Sequence, residues 1–206
     1  MSTTTTLSAS TTPTAQGEEA SHERGLYGPR GWTVSVGVWD VLDACHDEMR
    51  STTVPAAFGR GPTGLIEDGE PVDDYTPFHD LGPDGARRLL EVLPAAQLED
   101  RQNLSPTLGS MLRACVRSRG RVRLSGYGIG PQRPDERVTV EALWVQDPDL
   151  LDLEVHEEHD DGCRCRELWD TVRRRYDLDA QGLPDEMRVC RRLWTRGEPG
   201  TWLWWD

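Results

Sequence analysis

Arg121-Val-Arg-Leu-Ser-Gly-Tyr-Gly-Ile129 and Glu136-Arg-Val-Thr-Val-Glu-Ala-Leu-Trp-Val145 flank the turn-rich Gly130-Pro-Gln-Arg-Pro-Asp135. Apolar and polar residues alternate with period two on both sides of a Gly/Pro/Asp cluster, the pattern of two antiparallel strands joined as a hairpin. Gly126, Gly128 and Gly130 do not form a dinucleotide fingerprint. Such a loop leads from a strand into a helix, whereas these glycines lie within a strand and lead to another, so they read as bulge or turn-edge positions.

Before this hairpin the period is that of a helix. Ala86, Leu89, Leu90 and Leu93 follow Pro83, and Pro94 ends the run. Leu108, Met111, Leu112, Cys115 and Val116 follow Ser105 and Pro106, which read as cap and first turn, with Gly120 as the stop. After the hairpin, Leu168, Trp169, Val172 and Tyr176 mark another amphipathic helix. Leu151, Leu153 and Val155 suggest a short strand, with a helical turn as the alternative. Residues 187–194 and Thr201–Trp205 read as a second hairpin across Arg196-Gly-Glu-Pro-Gly200, with a helix over 184–194 as the competing assignment. Nearer the start, Trp32-Thr-Val34-Ser-Val36-Gly-Val38 alternates like a strand, and Asp40 reads as the cap of a short helix carrying Val41, Leu42, Cys45 and Met49.

Strands in runs, mixed with separate helices, define an α+β fold: an antiparallel or mixed sheet built from hairpins, with three to five helices packed on it. Residues 1–25 are Ser/Thr-rich and nearly free of apolar residues, a disordered tail by composition. Residues 26–206 form a single domain, with an acidic loop over 51–80.

Charge narrows the function classes. The chain of 206 residues carries 36 acidic residues against 23 basic ones, a net charge of -13. Every basic residue is arginine. Schiff-base chemistry, the P-loop lysine and the kinase lysine are therefore excluded. The lysine-free, Arg/Gly/Pro/Asp-rich usage suits GC-rich coding, pointing to a high-GC bacterium or its phage or plasmid. The overall acidity, with pI near 4.8, opposes broad electrostatic attraction to nucleic acid. No stretch is long and apolar enough to span a bilayer. The N-terminus lacks the basic and apolar regions of a signal peptide, and the cysteines number five, so a cytoplasmic protein with reduced thiols is expected.

Two constellations carry candidate chemistry. His156-Glu-Glu-His159-Asp-Asp-Gly-Cys163-Arg-Cys165 gathers two histidines and two cysteines within ten residues, and zinc prefers imidazole and thiolate in a tetrahedral set. His156, His159, Cys163 and Cys165 are thus the candidate ligands of a structural zinc. The bland reading is an acidic surface turn with Cys165 tucked under the next helix. A metal-dependent hydrolase would use the two histidines with a carboxylate, and Glu157 or Glu158 as base, but the histidines are three apart rather than four. The second constellation is Arg113, Arg117, Arg119, Arg121 and Arg123, in a stretch without acids, a candidate phosphate-contacting face. Helix C-terminal placement of Arg117 and Arg119, and pairing with the acids of residues 147–161, is the competing reading.

The carboxy-terminal Trp202-Leu-Trp204-Trp205 places Trp202 and Trp204 on one strand face and Leu203 and Trp205 on the other. A central strand buries both faces; an edge strand would expose an aromatic patch. No catalytic motif assembles. The expected function is therefore a soluble, non-enzymatic protein that binds another protein. Nucleic-acid binding through the Arg-rich second half and metal-dependent hydrolysis are the alternatives.

Overall fold

The hairpin of residues 121–145 is the middle of the sheet. In the computed structural model, β4 (Val122–Ile129) and β5 (Arg137–Val145) pair antiparallel. The structure describes residues 24–53, 66–67, 70–156, 160–192 and 197–206, with side chains omitted for 46–53. Around the hairpin lie β3 (Tyr75–Leu81), β6 (Glu186–Arg191) and β7 (Pro199–Trp204), in the order β3-β4-β5-β7-β6. Every pairing is antiparallel, which decides between the antiparallel and mixed alternatives. A two-stranded ladder joins β1 (Ile66–Glu67) to β2 (Glu70–Pro71).

Helices cover one face of the sheet: α1 (Trp32–Ser35), α2 (Val38–Thr53), α3 (Pro83–Val92), α4 (Ala95–Leu98), α5 (Leu108–Arg117) and α6 (Cys165–Tyr176). This is the expected α+β class. The helix count among the described residues exceeds the expected three to five because α1 and α4 are single turns. Leu124, Leu143, Leu203 and Trp205 point into the same core as Leu42, Leu89, Leu112 and Leu168. At Gly128 a Cβ would stand 2.9 Å from the Trp39 ring and 3.0 Å from Leu42, so the missing side chain lets α2 lie directly on β4. The register of β4 and β5 shifts between Ser125 and Gly126, which makes this a bulge rather than a phosphate loop.

Several local expectations are corrected. Trp32–Val38 is not a strand. Gly37 takes φ +76°, which breaks the alternating run between α1 and α2. The carboxylate of Glu136 accepts hydrogen bonds from the backbone N–H groups of Gly31 and Thr33, each at 2.8 Å, and from the Thr33 hydroxyl. Val38 rather than Asp40 opens α2, with Asp40 in its first turn. Thr107, not Ser105, caps α5: its hydroxyl accepts from the Ser110 N–H and donates to Asp179. Of the acidic loop over 51–80, residues 51–53 end α2, residues 66–67 and 70–71 form the β1–β2 ladder, and residues 75–80 belong to edge strand β3, because Phe78 and Leu81 have core sites to fill. Residues 151–155 form no strand. Pro148–Leu150 is a turn of 3₁₀ helix, and Leu153 and Val155 pack partly buried on the core. The tail over 1–25 lies outside the described residues except for Arg24 and Gly25; Arg24 bridges Pro29. No helix among the described residues is long and apolar enough to cross a membrane.

Candidate functional site

The cysteine-histidine turn is built by short-range hydrogen bonds. Asp160 holds it: its carboxylate accepts from the Gly162 N–H at 3.0 Å and meets His156 Nδ1 at 2.7 Å, while its carbonyl accepts from the Cys163 N–H. His156 Nε2 lies 3.0 Å from Glu154, and these two carboxylates, Glu154 first, raise the imidazole pKa above its ordinary value. Cys163 and Cys165 are joined as a disulfide. The expectation of reduced thiols therefore fails for this pair, which the spacing of a single residue brings together, and holds for Cys45, Cys115 and Cys190. A disulfide and a zinc–thiolate site use the same sulfurs and exclude one another, so the set His156, His159, Cys163 and Cys165 concerns the reduced chain alone. His159 lies outside the described residues, and no metal-holding cluster of three or more ligands occurs among those described.

The five arginines sit in different local settings. Arg117 and Arg121 are drawn into an acidic network. Arg117 meets Asp177 at 3.6 Å and donates to the Tyr176 carbonyl; Arg121 meets Asp147 at 3.4 Å. Asp147 is buried and also accepts from Arg175 and from the Tyr176 hydroxyl, at 2.7 and 2.8 Å. Burial, then this bond, pushes the Tyr176 pKa up. Arg113 projects from α5 beside Gly109, and Arg119 occupies a left-handed turn at φ +55°. Arg123 packs across Gly82, where a Cβ would stand 2.2 Å from its guanidinium.

A groove of about 420 Å³ between α2 and α3 is lined by Val41, Ala44, Cys45, Leu81 and Gly85, with Asp40, Asp84 and Arg88 at its rim. Cys45, on its wall, donates to the His79 carbonyl at 3.0 Å.

The two sheet edges differ. At β3, Pro77 removes a backbone donor, and the register shifts between Phe78 and Leu81, where Asp80 takes φ +60°. Proline and a bulge are the devices that blunt an edge against further pairing. Asp80 also forms a two-pronged ion pair with Arg192, at 2.6–3.1 Å, tying this edge to the β6–β7 hairpin across 112 residues of sequence. Strand β6 has neither device. Arg192 N–H donates to the Glu198 carbonyl, so by antiparallel alternation the even-numbered residues bond β7. Met187, Val189 and Arg191 then present N–H and C=O groups outward, and no described strand pairs with them. Val189 is 50 % exposed, with Arg188 and Arg191 exposed on either side.

Sequence reasoning missed this edge because it looked for partner contacts in the tryptophans. Those are absorbed. β7 lies between β5 and β6, Leu203 and Trp205 are in the main core, and Trp202 joins Trp144 and Ala142 in a second cluster with Trp204 and Cys190 at its side. Compared with known proteins, the chain matches no family model, no curated protein and no solved structure.

Proposed function

We propose that this chain is a non-enzymatic protein-binding domain whose recognition element is the outer edge of β6. The partner adds an extended segment as a sixth strand, β-augmentation in which main-chain bonds supply affinity and side chains supply choice. The observation that carries this reading is the asymmetry of the two edges: β3 is blunted by Pro77 and the Asp80 bulge, whereas β6 leaves its outward backbone groups unpaired among the described residues. Arg191 lies on the same sheet face as Val189, two residues on, and favours an incoming strand that sets an acidic residue two places from an apolar one, since an opposite-charge pair across strands contributes about 0.2–1 kcal/mol.

The test is selection of extended peptides from a displayed library against the full chain, followed by amide shift mapping. Selected peptides should carry an acidic residue two places from an apolar one and perturb the amides of residues 187–191. Val189→Pro removes an outward N–H that bonds nothing in the sheet, so it should preserve the thermal transition and abolish binding; Val189→Lys should weaken it. Peptides that map elsewhere, or that bind Val189→Pro unchanged, would overturn the assignment.

A further inference from the structure

We propose that Cys163 and Cys165 form an exchangeable disulfide, a redox centre for low-molecular-weight thiols in which Cys163 is the sulfur attacked and Cys165 the sulfur that leaves. The pair lies far in sequence from β6 and stands independently of the binding role.

Four observations converge. The two sulfurs are already bonded, with one residue between them. The turn is pinned on both sides: Asp160 holds the Gly162 and Cys163 amides, and the Arg164 N–H donates to the Glu154 carbonyl at 2.8 Å. Pinned ends keep the sulfurs adjacent once the bond opens, so reclosure is an intramolecular event. The two positions also differ in access: Cys163 is half-buried, whereas Cys165 is buried at the first position of α6. The cap residue Arg164 offers no side-chain acceptor there, leaving first-turn N–H groups to receive negative charge on a departing sulfur. Finally, the backbone N–H of His156 already points at the Cys163 sulfur, at 3.4 Å.

The exchange balances with a small thiol RSH as reductant. Its thiolate attacks the Cys163 sulfur. The Cys163–Cys165 bond breaks, and its electron pair leaves on the Cys165 sulfur, which takes up the proton that the attacking thiol gave up. A second thiolate attacks the small-molecule sulfur of the mixed disulfide and releases RSSR and the Cys163 thiol. Two RSH are oxidised to one RSSR, and the protein gains two electrons and two protons. The remaining cysteines stay out of the reaction. Burial pushes the Cys115 thiol up to about 12 and raises Cys190, and Cys45 is buried.

The test uses the full chain equilibrated in mixtures of reduced and oxidised glutathione, acid-quenched, then denatured, alkylated and weighed. At the oxidised end three cysteines should react, and at the reduced end all five, with the change confined to positions 163 and 165. Cys165→Ser should trap glutathione on Cys163, at a rate at least about tenfold above that of Cys165 in Cys163→Ser, given the difference in access. A pair that remains closed in reduced glutathione, a pair that remains open in oxidised glutathione, or faster adduct formation on Cys165 would each overturn the proposal.

Discussion

Glu136 shows how one side chain redirects a segment. It is fully buried, and its carboxylate takes up the N–H groups of Gly31 and Thr33 together with the Thr33 hydroxyl, which in turn accepts from the Trp39 indole at 2.8 Å. Glu136→Ala leaves these donors buried without an acceptor. It should cost roughly 2–4 kcal/mol: bonds to charged groups contribute about 1.5–3 kcal/mol each and several are lost together, while relief of the buried carboxylate's desolvation offsets part of that loss; urea denaturation measures this, and a loss below about 1 kcal/mol would contradict the assignment. Asp135, the neighbouring residue, contributes to acid stability. The Arg133 guanidinium grips its carboxylate from two nitrogens, at 2.9 and 2.8 Å, Arg137 adds a third contact, and the pKa falls to about 2. A depressed carboxylate stabilises the fold above its unfolded value near 4, and that contribution is lost as pH falls through the folded value near 2. Melting temperatures between pH 5 and pH 2 should therefore fall less steeply for Asp135→Asn than for the parent chain.

At the scale of elements, β7 and the residue after it separate the tryptophans into two kinds. Trp205 is fully buried, stacked edge-on to Trp169 with ring centres 5.4 Å apart, and its backbone N–H donates to the Glu141 carbonyl. Trp204 faces the other side and is only partly buried. Trp205→Ala should cost about 3–5 kcal/mol, the usual penalty for emptying a core tryptophan site, and Trp204→Ala well under half of that. Thermal and chemical denaturation of the two variants gives the comparison, and equal losses would show that the outer cluster is as structural as the core. The alternation in Trp202-Leu-Trp204-Trp205 foretold this division correctly. It did not show that β6 would be the edge, because strand order depends on which hairpin docks beside β5, and residues 187–192 carry no mark of that choice.

Across the whole molecule, the charge pattern resolves into local neutralisation more than into a single field. Asp147, Asp149 and Asp177 engage Arg117, Arg121 and Arg175, and Arg192 engages Asp80. The arginine-rich second half is thereby partly neutralised. The Asp80–Arg192 pair does more than cancel charge: it ties the β3 edge to the hairpin at the opposite end of the strand order.

The sequence by itself determined the two hairpins, the helices α3, α5 and α6, the α+β class and the exclusion of lysine chemistry, because period, caps and composition are local properties that a linear chain displays. It also singled out Cys163 and Cys165 as unusual. Only the tertiary structure decided that Trp32–Ser35 is helical, that Thr107 rather than Ser105 is the cap, that residues 75–81 form an edge strand, and that the two cysteines meet each other. The first three depend on groups far along the chain: the Glu136 carboxylate beneath Thr33, Asp179 against Thr107, and the core sites that Phe78 and Leu81 fill. Cys163 and Cys165 are neighbours in sequence, yet zinc ligation and a disulfide both fit that spacing, and only the coordinates show the two sulfurs bonded to each other.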